Sequence, residues 1–489
     1  FVKDGASRLT LTADNSAYNG DIVVRNGVLK MGVAGSIGSN NGTIIIEDGA
    51  TLDLNNIVAP NKPVVVSGEG YLGQGAITDT DSATGVAHNL TDVTMVGHTT
   101  FGAIGRWDLR VRTATGPGPG LRGNGYDLTK VGPGFVSIAC QRHFNEANQP
   151  YWQMNLGDIY VKEGTLTFAE SVSLGNPEKS ITIFPGTSFN TYNLWETNPI
   201  VRTIYITDAR ISGDGPATGT NVYTGTINAS GNIHLRATDA KLVINGPIVG
   251  SASVGISATD AGAVFLNGVN TYTGNTIVTN GVFGGSGSLA GNLTIQSGAT
   301  TSPGMNGVGI LTVGGNATLA GTTVMELDRS KSPNSDRISV NGTLQFGGTL
   351  NVVIAPGAPA PQAGDVYQLF NKAGSGTFAA VNLPDLSGLP GNLSWDTSNL
   401  YVNGTIAVAG TAAPPVFGSI SIVGGNLQFE GTGGVEGATY VILASPDVAA
   451  PIANWIPVAT NTFGAGGSFN YNHSIESDDP TMFFMLQLP

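Results

Sequence analysis

Residues Asn267 to Asp328 read NGVNTYTGNTIVTNGVFGGSGSLAGNLTIQSGATTSPGMNGVGILTVGGNATLAGTTVMELD, and the punctuation of this stretch decides the fold. Short apolar or β-branched runs (Thr276 to Thr279, Asn292 to Gln296, Ile310 to Val313, Ala317 to Leu319, Thr323 to Leu327) alternate with corners rich in Gly and Asn. Each run is too short for a helix and shows partial period-two alternation, which reads as strand. A strand that short cannot bury its own face, so it has to stack on a neighbour. Repeated units of this kind build a solenoid, in which every turn supplies backbone partners to the next and Val, Ile and Leu form a continuous core.

The same rhythm runs back to the N-terminus. RLTLT, DIVVRNG, TIIIEDG and ATLDLN fill the first 57 residues, with Gly20, Gly27 and Gly49 at the corners. Leu29 to Ile57 aligns without a gap on Leu166 to Leu194, an offset of 166 − 29 = 137, which places Ile44 on Ile181, Ile46 on Ile183 and Gly49 on Gly186. Lys3 matches Lys130 at 130 − 3 = 127, so the second copy holds 137 − 127 = 10 extra residues around Arg142 to Trp152, expected to bulge from a corner as a loop. A third copy keeps GDIVVRNGVL (Gly20 to Leu29) as GNTIVTNGVF (Gly274 to Phe283).

Leu128-Thr129-Lys130-Val131-Gly132-Pro133-Gly134 and Asn270-Thr271-Tyr272-Thr273-Gly274 carry a family resemblance. They resemble the autotransporter-associated β-strand repeat of secreted bacterial surface proteins, and SPGMNGVGILTVGGNATLAGTTVMELD looks like the end of an autotransporter passenger. The resemblance implies a parallel β-helix, exported to the cell surface or beyond, in the role of adhesin, stalk, coat or, in some cases, enzyme. No membrane β-barrel pattern follows the passenger-like part, which predicts another export route. Phe1 falls inside a repeat, which predicts a processed or further segment upstream.

The domain plan expected is a β-solenoid over residues 1–410, with copies near 1–127, 128–261 and 262–410. Thr411 to Pro415, short and Pro-rich, reads as a stiff linker. Residues 416–489 change rhythm: SISIVGGNLQFEGTG, ATYVILAS, WIPVAT, GSFNYNHS and TMFFMLQLP are strands at hairpin-like spacing, predicting a small C-terminal antiparallel β-sandwich. The fold class is all-β.

Composition narrows the function. Charged residues are only 11% against about a quarter in an ordinary globular chain, and the 71 glycines accompany 40% hydrophobic residues arranged in strand-length runs, so the chain is ordered and rich in turns. With 21 Lys and Arg and a formal charge of −13, no broad basic surface is available for phosphates, and nucleic acid is not an expected partner. Cys140 is the single cysteine, so no intrachain disulfide forms; it reads as a small buried apolar residue. No run of 18 apolar residues predicts a membrane-spanning helix.

No catalytic, metal or cofactor constellation stands out. Asp79/Asp81, Asp208/Asp214, Asp14/Asp21 and Glu326/Asp328 sit beside Gly, Ser or Thr, where Asp ordinarily forms turns. His88, His98, His143, His234 and His473 are scattered without ligand spacing. A single Ca²⁺ near Asp478-Asp479 or Asp79-Thr80-Asp81 is the one metal reading left open. The leading expectation is a structural protein without catalytic activity that assembles end to end with itself into a filament, fibre or surface layer. Its interface would use Phe1 and Val2 at one end and Met482, Phe483, Phe484, Met485 and Leu486 at the other, because an open rung or strand edge is a template for another chain. The alternative is an adhesin or glycan-binding stalk acting through loops Gly75 to Gly125 and Arg142 to Trp152, with Arg142, Tyr151 and Trp152 as contacts. Third comes a polysaccharide lyase or hydrolase.

Overall fold

The computed structural model describes residues 1–85, 88–111, 120–140, 152–170, 172–194, 197–389, 393–410, 415–475 and 481–488. The side chains of His88, Cys140 and Trp152 lie outside the described set, as do Arg142, His143, Tyr151 and the Asp478-Asp479 pair. The chain forms two compact units: Phe1–Pro356, Gln368–Asn382 and Tyr401–Gly404 make the first, and Gly357–Tyr367, Leu383–Leu400 and Thr405–Pro489 the second.

The first unit is the parallel β-solenoid. Its first ladder climbs through eleven strands, from Val2–Lys3 through Ile22–Val24, Ile44–Ile46 and Val64–Gly68 to Ile248–Gly250. Register is set by the buried face. Ile22, Ile44, Val64 and Val93 stack in one row and Val24, Ile46, Val66 and Met95 in the next, every one at most 2% exposed. Burying each such side chain contributes about 1.5–3 kcal/mol, and a slip of one residue would turn both rows to solvent.

A second ladder runs through Arg106–Val111, Phe135–Cys140, Thr165–Glu170, Ser188–Tyr192, Arg210–Asp214 and Asn232–Thr238, and on to Leu344–Phe346. A third rises from Thr220–Tyr223 to Ala380–Asn382. The sequence predicts a short strand ending at Thr279; the observed one spans Thr276–Gly285 and serves both ladders. Its first half pairs with Val254 to Ile256 and its second half with Ala263 to Phe265, across a register shift. Turn length varies along the stack: Ile22 faces Ile44 (44 − 22 = 22 residues), whereas Leu128 faces Ile159 (159 − 128 = 31). The longer turn carries residues 141–151, which lie outside the described residues.

The corners need chemistry of their own, because the chain leaves one strand and enters the next with carbonyls turned inward. Gly27 (φ 71°) takes the left-handed region, and a Cβ there would stand 2.5 Å from the Gly5 carbonyl oxygen of the preceding turn; Gly281, its match in the third copy, meets the Ala258 carbonyl at 2.4 Å. Buried cations hold other carbonyls. Lys130, fully buried, donates from Nζ to the carbonyls of Val131 (2.8 Å), Gly132 (2.7 Å) and Glu163 (3.2 Å). Lys3, its repeat partner, does the same to Asp4, Gly5 and Asn26. Arg202, 1% exposed, reaches the carbonyls of Gly157 (2.6 Å), Leu156 (2.7 Å) and Leu174 (2.6 Å), and so ties three successive turns.

In the second unit, two three-stranded antiparallel sheets share one core. One orders Val416–Val423, Asn426–Thr432 and Phe469–Ser474; the other orders Ile456–Thr462, Thr439–Ser445 and Phe483–Gln487. Phe429, Tyr440, Ile442, Phe463 and Phe469 fill the space between them. Gly424 and Gly425, both at positive φ, close the first hairpin. Among the described residues no helix is long and apolar enough to cross a membrane.

Candidate functional site

The outer face of the second ladder, within the solenoid unit, carries a groove of about 670 Å³. Alternation explains its lining. Trp107, Leu109, Val136, Ile138, Leu166 and Phe168 point inward and are buried, so their neighbours face out. The central outward row, in register from turn to turn, is Asp108, Ser137, Thr167, Asn190, Ser212 and Arg236.

At one end the charges neutralise one another. Arg106 donates from Nε and Nη2 to the two carboxylate oxygens of Asp108 (2.9 and 3.2 Å) and lies over the Phe135 ring at 4.6 Å. Arg110 donates from Nη2 to Glu170 Oε1 at 2.9 Å. At the other end the lining holds Arg236 together with Asp214 and Asp239, while Arg210 and His234 stand on the same face of the ladder outside it. Arg210 pairs in register with His234, and Arg236 stands two residues further along the same strand. Burial lowers the Arg210 pKa, Arg236 lowers it further and Asp214 opposes; burial, Arg210 and Arg236 together hold His234 below the usual histidine value. Among the described residues no ion pair neutralises Arg210 or Arg236.

Several polar atoms of this face are buried without a hydrogen-bond partner: Thr167 Oγ1, Asn190 Oδ1, Ser212 Oγ, Asp214 Oδ1 and Thr238 Oγ1. Thr167 and Ser212 are 2% exposed and Asn190 6%. Buried polar groups are normally paired, so five unpaired atoms on one face of the ladder set it apart from the rest of the solenoid. Tyr192, 43% exposed and in register with Asp214, offers an aromatic face beside them.

The residues singled out in the sequence fall elsewhere, with two exceptions. Asp214 and His234 belong to this face, and strands Arg106–Val111 and Phe135–Cys140 lead directly into 112–119 and 141–151, outside the described residues; the stretch Gly75 to Gly125, expected as an adhesive loop, is instead largely strand in the stack, with Ile77–Thr78, His88–Leu90, Val93–Gly102, Arg106–Val111 and Leu121–Arg122. Trp152 pairs through its backbone with Val172. Glu326 lies within strand Thr322–Leu327, where burial raises its pKa, and most of the other carboxylates serve turns. Asp14 Oδ1 accepts from Ser16 N, Asp21 Oδ1 from Thr43 N, Asp208 Oδ1 from Asn232 N and Asp328 Oδ1 from Ser330 N. Asp79, fully buried and raised to about 6 by burial, accepts from Asn56 and Asp81. Its neighbour Thr80 donates to Asp53, whose counter-charge is Lys30 at 3.4 Å. His98 Nδ1 accepts from the Asp127 amide, and His473 stacks on Tyr471. Among the described residues no three His, Cys, Asp or Glu side chains converge as metal ligands.

The expected assembly ends are also placed. Phe1 and Val2 are 45% and 49% exposed, and the Phe1 ammonium donates to Tyr18 OH and the Asp21 carbonyl. Phe483 to Leu486 lie in a strand paired antiparallel with Thr439–Ser445 of the same unit, with Phe484 and Leu486 against its core. Sequence reasoning passed over Arg210 and Arg236, because only the ladder register brings them beside His234. The alternation in NIHLRAT was the one available signal.

Comparison with known proteins agrees with this architecture. Residues 1–31 and 257–283 match the family model of the passenger-associated transport repeat. Over 218 residues the chain is 28% identical to the adhesin BmaC autotransporter of Brucella suis biovar 1 (strain 1330), a match that takes in 37% of this chain. The aligned part spans about 6% of that protein's length. The chain is thus a parallel β-solenoid in which two stretches are similar to the passenger-associated transport repeat.

Proposed function

We propose that this chain is an exported surface protein of the adhesin type, in which the solenoid is the rigid support and the outer groove of the second ladder is the contact surface. The observation that carries the reading is the set of buried, unpartnered polar atoms on that groove, held by backbone paired from turn to turn. The similarity to an autotransporter adhesin and the passenger repeats support it. Rigid scaffolds suit this task because a preorganised surface loses little entropy on binding. Beads coated with the chain are expected to adhere to cultured epithelial cells, with soluble chain competing; beads that bind no more than albumin-coated ones would overturn the reading.

Self-assembly into a filament is a second reading, favoured by an edge in the C-terminal unit. Among the described residues Val416–Val423 pairs with Asn426–Thr432 alone, and it exposes Ile420 at 69% and Ile422 at 70%. Such an edge is a template for a second copy. Light scattering that rises with protein concentration in the native chain and not in an Ile420→Lys, Ile422→Lys variant supports assembly; a concentration-independent monomer rejects it.

A further inference from the structure

We infer that the chain forms a closed two-fold dimer at one edge of its C-terminal unit, strand Val416–Val423 pairing antiparallel with the same strand of a second copy, centred on Ser421. The inference deepens the self-assembly reading and rests on it, but it limits this edge to a pair where that reading allows a filament.

Two features leave this edge open. Among the described residues the strand has Asn426–Thr432 as its one neighbour in the sheet, so the backbone groups on its other side have no strand to pair with. Its isoleucines, moreover, belong to the core face. Ile420 stands opposite Phe429 and Ile422 opposite Leu427, and residues directly opposite on antiparallel strands share one face of the sheet. Phe429 is 2% exposed and Leu427 packs against the same core, whereas Ile420 and Ile422 remain 69% and 70% exposed. Phe417, near the start of the strand, still reaches that core, edge-on to Phe429 and Phe469. The apolar face of this sheet therefore extends past the side chains that cover it, and it does so along the edge that lacks a partner.

The residues of the edge select a second copy as its occupant. A register shift between Phe417 and Ser419 leaves Ser419 to Val423 as the regular stretch. Read antiparallel against itself about Ser421, SISIV sets Ile420 opposite the second copy's Ile422, Ser421 opposite its Ser421 and Ser419 opposite its Val423. Isoleucine then covers isoleucine on the core face. A slip of one residue would set the core face of one copy against the outer face of the other, and a slip of two would bring Gly418, at the irregularity, or Gly424, in the hairpin turn, into the pair. Edge strands are ordinarily guarded by Lys, Pro or a charge, but Val416 to Gln428 contains no charged residue and no proline. The nearest carboxylate on the paired strands is Glu430, opposite Ser419. In the pair the two Glu430 side chains stand three strand spacings apart, roughly 14 Å, beyond the screening length of about 8–10 Å, so like charge does not oppose the contact. Each copy uses the same strand, so the contact is isologous and two copies satisfy it. Ser419 to Val423 is far shorter than the about 20–30 residues a side of a standard interface, and the dimer is accordingly one that dissociates on dilution.

The test is analytical ultracentrifugation of the intact chain over a range of concentrations, joined to cysteine crosslinking. The average mass is expected to rise from one chain to two and stop there. The Ile420→Lys, Ile422→Lys double variant should weaken the pair at least tenfold, and Ile456→Lys, equally exposed on a strand of the other sheet, should leave it unchanged. Crosslinking uses a Cys140→Ala background, which holds no other thiol. With an added oxidant Ser421→Cys should give a covalent dimer, since opposite Cα atoms on antiparallel strands lie about 4.5–5.5 Å apart, within the reach of a disulfide. Asn472→Cys, exposed on the strand at the other edge of the same sheet, should not. Circular dichroism confirms that each variant is folded. The inference falls if the double variant associates as the parent does, or if Ser421→Cys crosslinks no better than Asn472→Cys. A chain that is monomeric at every concentration overturns the pair and the self-assembly reading together, whereas a mass that climbs past two keeps self-assembly and overturns the closed pair.

Discussion

The solenoid and the C-terminal unit solve the same problem, hiding apolar surface while pairing every backbone group, by opposite means. In the solenoid the strands run parallel, so the chain has to travel round a whole turn before it meets its partner, and its corners leave carbonyls facing inward. Lys3, Lys62, Lys130 and Arg202 are buried there, each donating to carbonyls at such corners. In the C-terminal unit the strands are antiparallel and a hairpin closes its own ladder up to the turn. Among its described residues no charged side chain is buried, and its core is a cluster dominated by aromatics. The lesson is that parallel stacking carries a polar cost at its corners, which buried cations meet, while antiparallel pairing avoids it and exposes edge strands instead.

The sharpest way to break this comparison is to remove a corner cation. Arg202→Met takes the side-chain donor from three carbonyls, of which that of Leu174 keeps the Leu156 amide while those of Leu156 and Gly157 lose theirs, and is expected to cost about 2–5 kcal/mol, partly offset by relief from burying the charge. Hydrogen exchange read by mass spectrometry should show lost protection near Leu156, Leu174 and Arg202, with Thr439–Ser445 unchanged. Equal loss in both units would show that the cation is not a local clamp. The reciprocal change, Ile442→Ala in the C-terminal core, should cost about 2–4 kcal/mol, confined by the same measurement to the six strands of the two sheets that share that core.

Lys130 sharpens the comparison through pH. Burial pushes its pKa down to about 7 from the ordinary 10.5, with Glu163 opposing. Between those values the unfolded chain keeps a proton that the folded chain releases, so stability rises with pH through this window and is lost as pH falls through about 7. Urea denaturation of the solenoid should show that rise, amounting to a few kcal/mol (~2–4), and Lys130→Met should flatten it. A rise that persists in the variant would assign it to another group.

The smallest effects separate two glycine corners. Gly27 and Gly49 both sit at positive φ, but a Cβ on Gly27 collides with the Gly5 and Ser7 carbonyl oxygens while one on Gly49 meets nothing within 4 Å. Gly27→Ala should cost about 2–3 kcal/mol and Gly49→Ala about 1 kcal/mol, read as shifts in the denaturation midpoint. Equal costs would mean that backbone conformation alone, not the approach of the neighbouring turn, decides these positions.

Much of the fold was legible because it is periodic. Ile44 to Ile46, read as a strand in the stack, pairs on both sides, and the alignment of Leu29 on Leu166 is mirrored in register, Leu29 facing Leu52 and Leu166 facing Phe189. The recurrence of Lys3 at Lys130 was visible while its task was not, since a lysine in a strand reads as exposed until the stack closes over it. The outer face of the second ladder was the least legible part. Arg210, His234 and Arg236 become one cluster only when a turn of 234 − 210 = 24 residues brings the strands side by side. Turn lengths vary, with 293 − 276 = 17 residues from Thr276 to Leu293 and 159 − 128 = 31 from Leu128 to Ile159, so no fixed period in the chain foretells which side chains meet.

Alternation and turn residues, both local properties, were enough to determine an all-β chain of short stacked strands with a separate antiparallel end. Which charges are buried at the corners, and which polar atoms share one outer face, depended on how far each turn advances before it returns. That distance is a property of the closed stack, set by the corner insertions and the register of the core rows, and no single segment of sequence contains it.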